Sequence, residues 1–200
     1  MNTGTKVSVT EATAVGERPQ DEDTVLVARA QKQDLGAFEE LVRRHQRPLF
    51  SYLFRMCGNP DEAEEMAQAA MVRAWQKLSG FQGRSSFKTW LYRIGTNLAI
   101  NRIQRRKPTY ELPETLPASE TEEPEQAFRS RRREELVQAA LQELPADQRS
   151  ALVLCTYEDM SYQEIARSMG KTVRAVDSLL FRARQNLRKL LEPAREKGLL

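Results

Sequence analysis

Met160-Ser161-Tyr162-Gln163-Glu164-Ile165-Ala166-Arg167-Ser168-Met169-Gly170-Lys171-Thr172-Val173-Arg174-Ala175-Val176 is the stretch on which the fold turns. Ser161, with Glu164 three residues on, has the form of a capping box, in which hydroxyl and carboxylate each take one orphan amide of a helix start. That start predicts a short helix through Met169, with Ile165, Ala166 and Met169 facing inward. Gly170 supplies the left-handed backbone that ends such a helix. Thr172 then caps the next one. Two short helices with glycine at the turn form a helix-turn-helix, whose second helix enters the major groove of DNA.

The second helix separates into faces. Val173, Val176, Leu180, Ala183 and Leu187 fall on the inward side, and Arg174, Asp177, Ser178, Phe181, Arg182 and Gln185 on the outward side. A Phe set among Arg and Ser suits contact with thymine methyls, base edges and phosphates. A solvated face whose Phe packs on a neighbouring helix would show the same spacing; the complete turn pattern favours DNA.

Helical periodicity surrounds this motif, running from about Phe128 to Leu191 with breaks at Pro145 and around Ser161 and Gly170. Upstream, residues 108–128 hold four prolines, six glutamates and no Lys or Arg. Proline removes backbone donors and fixes φ, so this composition predicts an extended acidic linker. The net charge of +3 therefore conceals two basic blocks, residues 24–107 and 129–200, on either side of an acidic strip. Such a division suggests polyanion-binding modules on a tether, although basic helical proteins without nucleic-acid partners also exist.

Residues 1–23 are polar and aperiodic and read as a disordered tail, with residues 193–200 as a short C-terminal one. Helical spacing begins at Asp23. Phe38, Leu41, Val42, His45 and Leu49 share one face, which makes His45, the single histidine, a packing residue. Asn59-Pro60-Asp61-Glu62 is a helix start, with Asn59 as cap, Pro60 in the first turn and Glu62 closing a box. Another helix is expected from about Ser86 to Arg106, with Trp90, Leu91, Ile94 and Leu98 as its buried stripe.

No alternating strand pattern interrupts the 200 residues, so the fold class is all-α: two helical modules joined by an acidic linker. No apolar run approaches the ~20 residues of a membrane span, and no secretory leader is expected. Cys57 and Cys155 read as small hydrophobes in a reduced, cytoplasmic setting. With one His, no Gly-rich phosphate loop and no metal-ligand cluster, neither catalysis, a metal nor a cofactor is expected.

Phe81-Gln82-Gly83-Arg84-Ser85-Ser86-Phe87-Lys88-Thr89-Trp90-Leu91-Tyr92-Arg93-Ile94 leads into a helix bearing Asn97, Asn101, Arg102, Arg105, Arg106 and Lys107. Arg93, Asn97 and Asn101 share a polar stripe at spacings of four. A surface of this kind can hold an unstacked base, hydrogen-bond it with amides and grip its backbone with cations. An aromatic-stapled hairpin with a solvated basic face is the plainer alternative.

This segment closely resembles the promoter-melting region of bacterial sigma factors of the extracytoplasmic-function group. Glu62-Ala63-Glu64-Glu65-Met66-Ala67-Gln68, followed by Arg73-Ala74-Trp75, resembles that family's core-polymerase-binding helix. Leu144-Pro145, the motif from Met160 to Ala166, and Phe181-Arg182-Ala183-Arg184 resemble its −35-binding region. The resemblance covers about residues 24–107 and 130–192.

It implies that Glu62, Glu65 and Gln68 dock on the β′ clamp helices of core RNA polymerase. Arg84, Ser85, Ser86, Phe87, Lys88, Arg93, Asn97, Asn101 and Arg105 would capture a melted −10 strand. Thr172, Arg174, Ser178, Phe181, Arg182 and Arg184 would hold the −35 duplex, with the β flap as a further partner. It also implies an anti-sigma factor. Ala69 and Met71 stand where the family often has an acidic residue and Phe, and Asp177 and Leu179 where Lys or Arg is common. A simple helix-turn-helix regulator would need neither the 81–90 loop nor the acidic linker, and a helical adaptor would need no basic blocks.

Overall fold

The structure, a computed structural model, describes residues 19–105 and 125–199, excepting the side chains of 19–21, 125–128 and 130. The described residues form α1 (Pro19–Ala30), α2 (Leu35–Cys57), α3 (Pro60–Lys77), a 3-10 turn (Leu78–Gly80), α4 (Phe87–Arg105), α5 (Glu125–Gln142), α6 (Ala146–Thr156), α7 (Tyr162–Met169) and α8 (Val173–Glu196). Among them there is no strand.

Local chemistry sets the ends of these helices. Asp34 caps α2 by accepting from the Ala37 amide at 3.1 Å. At the other end Gly58 adopts φ 74° and returns its N–H to the Phe54 carbonyl. That left-handed geometry is open to glycine at little steric cost. One residue on, the Asn59 side chain accepts from the Glu62 amide at 2.9 Å, and Pro60 fills the first turn of α3. The chain thus reverses between α2 and α3 within two residues.

Three boundaries differ from expectation. Helix α1 already begins at Pro19, inside the stretch read as a tail. Helix α5 begins at Glu125 rather than near Phe128. Helix α8 runs through Pro193 to Glu196, as α2 runs through Pro48, so neither proline ends its helix. Residues 1–18 and 106–124, and so most of the expected tail and linker, lie outside the described residues.

The larger difference is in packing. The two modules share one hydrophobic core, in which Leu41, Leu53 and Leu91 are continuous with Leu154, Ile165 and Leu180. Helix α4 packs on α2, α3, α6 and α7, so its buried surface is wider than the expected stripe. Thr89, Tyr92, Gly95, Thr96 and Ala99 are all buried, while Trp90, Ile94 and Leu98 are half-buried.

Polar groups of the C-terminal module finish the end of α2. The last four carbonyls of a helix have no partner within it. Here Gln138 Nε2 donates to the Phe54 carbonyl at 3.1 Å and Gln142 Nε2 to that of Arg55 at 3.0 Å. Arg149 donates to the Met56 carbonyl and, within its own module, to those of Gln142 and Leu144. A buried guanidinium is well placed there, since the C-terminal end of a helix carries partial negative charge.

Candidate nucleic-acid interface

The helix-turn-helix forms as its chemistry requires. Ser161 Oγ accepts from the Glu164 amide at 3.3 Å, while Glu164 Oε2 accepts from the Ser161 amide at 2.9 Å. Burial works against the Glu164 charge, but the bonds from Ser161 prevail and hold its carboxyl below the usual range. Gly170 takes φ 63°, and Thr172 Oγ1 accepts from the Ala175 amide at 3.2 Å to open α8.

Thr172, Arg174, Ser178, Phe181, Arg182 and Arg184 are all exposed on α8, Phe181 to 62%. Four of them, Ser178, Phe181, Arg182 and Arg184, line a shallow groove of about 750 Å³ together with Asp177, Gln185 and Arg188. Gln185 was read on this outward face, and Arg188 extends its spacing of three and four by one further residue. Val173 is 45% exposed rather than inward, and Leu179 is buried at 8%. The buried stripe of α8 is Val176, Leu179, Leu180 and Ala183. Leu179 is therefore a core leucine, and its departure from the family's usual basic residue leaves the outward face unchanged.

The residues expected to capture a strand divide into two groups. Arg84, Arg93, Asn97, Asn101 and Arg105 are exposed, the last four along one stripe of α4. Ser86 instead caps α4, its Oγ accepting from the Thr89 amide at 3.1 Å, and Ser85 Oγ donates to the Ser86 carbonyl at 3.3 Å. Phe87 is buried at 3%, its ring centroid 5.3 Å from His45 and 6.0 Å from Trp90. It staples the loop and offers no face to a base. His45 packs as expected and also bonds Asp23 Oδ2 at 2.7 Å. Lys88 is engaged by the other module, donating to the Glu158 carbonyl at 2.8 Å.

Glu65 and Gln68 are exposed on α3 and Glu62 is half-buried. Arg102 of α4 bridges them, 3.7 Å from Glu62 and 3.3 Å from Glu65. Glu62, Glu65, Arg102, Asn101 and Arg105 line one groove of about 600 Å³ between α3 and α4. Glu65 and Asn101 are more than thirty residues apart in the sequence; the pairing of α3 with α4 sets them in one groove. Arg102 was the residue that sequence reasoning could not place, since its partners lie on another helix.

Where α4 meets the C-terminal module, the buried Glu158 carboxylate accepts from Tyr92 Oη at 2.5 Å and lies 3.6 Å from Lys88 Nζ. Tyr52 Oη lies 2.8 Å from Thr96 Oγ1 and 2.9 Å from Ser150 Oγ. Burial pushes the Tyr52 phenol up to about 12, and burial with the nearby Glu158 charge raises Tyr92 further still. Of five tyrosines, these two are expected to resist ionisation until the chain unfolds. Absorbance at 295 nm during alkaline titration checks this: two phenols should appear late, in step with loss of helical circular dichroism. Smooth titration of all five while helicity persists would count against the buried geometry.

Comparison with known proteins fits both halves of this arrangement. The Sigma-70 region 2 family matches residues 41–109, and the Sigma-70, region 4 family matches residues 134–187. RNA polymerase sigma-H factor of Pseudomonas aeruginosa is 37% identical over 185 residues, covering 87% of this chain and 96% of that protein. The chain belongs to the extracytoplasmic-function sigma factors. The ECF RNA polymerase sigma-E factor of Escherichia coli is 35% identical over 182 residues, covering 86% of this sigma factor and 95% of its relative. Among solved structures, CnrH in complex with the cytosolic domain of CnrY superposes with a TM-score of 0.69 at 28% identity, covering 86% and 99% of the two chains. RpoE in complex with the anti-sigma factor NepR from Bartonella quintana gives 0.61 at 25% identity, covering 78% and 96%.

Members of this family are transcription-initiation factors that bind core RNA polymerase and promoter DNA, rather than enzymes. No helix among the described residues is long and apolar enough to cross a membrane, and none of them form a group of three or more His, Cys, Asp or Glu able to hold a metal.

Proposed function

We propose that this sigma factor directs promoter-specific initiation by gripping two DNA elements, the −35 duplex with α8 and a melted −10 strand with α4. The observation that carries the reading is that both cationic faces are exposed while sharing no residue. Arg93, Asn97, Asn101 and Arg105 would hold an unstacked base and its backbone; Arg174, Ser178, Phe181, Arg182 and Arg184 would sit in the major groove. Glu65 and Gln68, with Glu62 behind them, would meet the β′ clamp helices, the β flap would meet the C-terminal module, and the acidic linker would cross the polymerase cleft. The site of action would be the cytoplasm, and a further partner an anti-sigma factor, as RpoE of Bartonella quintana is found with NepR.

Reach requires the modules to part. Elements ~25 base pairs apart are separated by ~85 Å at ~3.4 Å per pair. A compact chain of 200 residues has a radius of gyration of only ~16 Å. The chain from residue 105 to 125 extends to at most ~70 Å at ~3.5 Å per step, which together with the modules themselves suffices.

Run-off transcription with purified core polymerase and a panel of promoters tests the whole reading. A chain that neither binds core nor directs specific starts would sink it. Within it, Asn97→Ala is expected to slow strand opening, read by permanganate reactivity, about tenfold or more while core binding is retained. Equal loss of core binding would remove Asn97 from the strand site. Phe87→Ala is unsuited to that purpose, because emptying a buried aromatic site costs ~3–5 kcal/mol of stability. Arg182→Ala should weaken −35 binding and flatten its log–log salt slope by ~0.9 if one phosphate contact is lost. An unchanged slope means that Arg182 neutralises no phosphate.

A further inference from the structure

We propose that Asp177 reads a cytosine of the −35 element, its carboxylate accepting a hydrogen bond from the exocyclic N4 amine in the major groove. This rests on the reading of α8 as the −35 helix and names a base for one of its positions.

Asp177 is the one acidic residue of α8 between Thr172 and Leu191, a span that carries five cations. It stands in the second turn, among the N-terminal residues that in a recognition helix reach base edges. It is exposed and lines the α8 groove beside Ser178, Phe181 and Arg182. Among the described residues its carboxylate forms no hydrogen bond or ion pair, although Arg174 lies one helical turn away. Ser178 turns its hydroxyl back to the Arg174 carbonyl at 3.0 Å, and Arg182 Nε points to the Ser178 carbonyl at 3.2 Å. Both carboxylate oxygens are therefore open to a donor from outside.

Double-stranded DNA offers few such donors. Phosphates repel a carboxylate, and guanine O6 and N7 and thymine O4 present only lone pairs. Adenine N6 is a donor but stands beside the N7 acceptor, which opposes the second carboxylate oxygen. Cytosine N4 has an acceptor on one side only, guanine O6 across the pair, and the C5–H of its own ring on the other, whereas adenine N6 lies between two acceptors, N7 and the thymine O4. Cytosine presents the base edge that an acceptor-only side chain selects.

The test uses holoenzyme reconstituted from core polymerase and the full chain, offered promoters randomised across the −35 element with the −10 element fixed. Sequencing of the bound fraction should show one position enriched in cytosine by ~10-fold, within the range of a good side-chain–base pair. Asp177→Ala should bring that position to within about twofold of parity, leave the others in place and raise total retention at ~0.2 M salt, since a negative charge near phosphates has gone. Asp177→Asn should move the preference to adenine, whose N6 and N7 match an amide. Identical enrichment in wild type and Asp177→Ala, or a uniform loss at every position, overturns the assignment. If wild-type holoenzyme selects no base anywhere in the element, the reading of α8 itself falls, and this inference with it.

Discussion

Arg149→Ala is expected to destabilise the folded chain by ~3–5 kcal/mol, a large part of the ~5–15 kcal/mol that holds a domain together. Arg149 is 5% exposed and donates to the carbonyls of Met56, Gln142 and Leu144 and to the Gln142 side chain. Each hydrogen bond to a charged group contributes ~1.5–3 kcal/mol, and truncation strands buried carbonyl oxygens that water cannot reach. The Met56 carbonyl matters most, because it belongs to α2 and ties the end of that helix to the other module. Arg149→Lys should recover little of the loss, since one ammonium cannot span the oxygens that a planar fork reaches together. Chemical denaturation of the full-length protein, followed by circular dichroism, measures both variants. A loss below ~1 kcal/mol for alanine would show that these bonds do not hold the modules together.

Arg149 also marks where sequence reading stops. Its neighbours in the chain, Gln148 and Ser150, gave no sign of a buried cation, because its partners on α2 are more than ninety residues away. The same holds for Tyr92 and Thr96. Periodicity located α4 and its apolar stripe, but a helix clasped from two sides buries polar residues too, and only tertiary packing reveals the second side. What could be read was local. Capping at Asn59, Ser161 and Thr172 and the turn at Gly170 depend on atoms within four residues of each other. The outward face of α8 was legible for the same reason; Val173, read as inward, is exposed at the first position of the helix, and Leu179, on neither expected face, joins the core. Phe87 shows the opposite case. The resemblance placed it among the strand-capturing residues, yet the His45 and Trp90 rings enclose it.

Glu158→Lys is expected to separate the two modules while leaving each folded, and thereby to raise the apparent affinity for core polymerase. The carboxylate sits in the loop between α6 and α7, 8% exposed, facing Tyr92 and Lys88 of α4, with the Arg55 charge of α2 also acting on it. An ammonium in its place meets Lys88 at ~4 Å, a repulsion of ~4 kcal/mol near a protein surface, and takes away the acceptor of Tyr92. If polymerase binds only the parted form, apparent affinity rises tenfold for each ~1.4 kcal/mol removed from closure. Small-angle scattering should report an increased radius of gyration, and fluorescence anisotropy the tighter core binding.

The same carboxyl gives closure a dependence on pH whose sign is fixed. Burial raises its affinity for a proton in the packed arrangement, against the opposing effects of Tyr92 and Lys88. In the parted arrangement it returns to the ordinary carboxylate value. Its stabilising contribution is thus fully present below that ordinary value and is lost as pH rises through the raised one. The chain should loosen as pH increases through that window, and Glu158→Gln, a permanent stand-in for the protonated acid, should stay compact throughout. A Glu158→Lys protein that remains as compact as wild type, with unchanged core affinity, would mean that Glu158 does not govern closure.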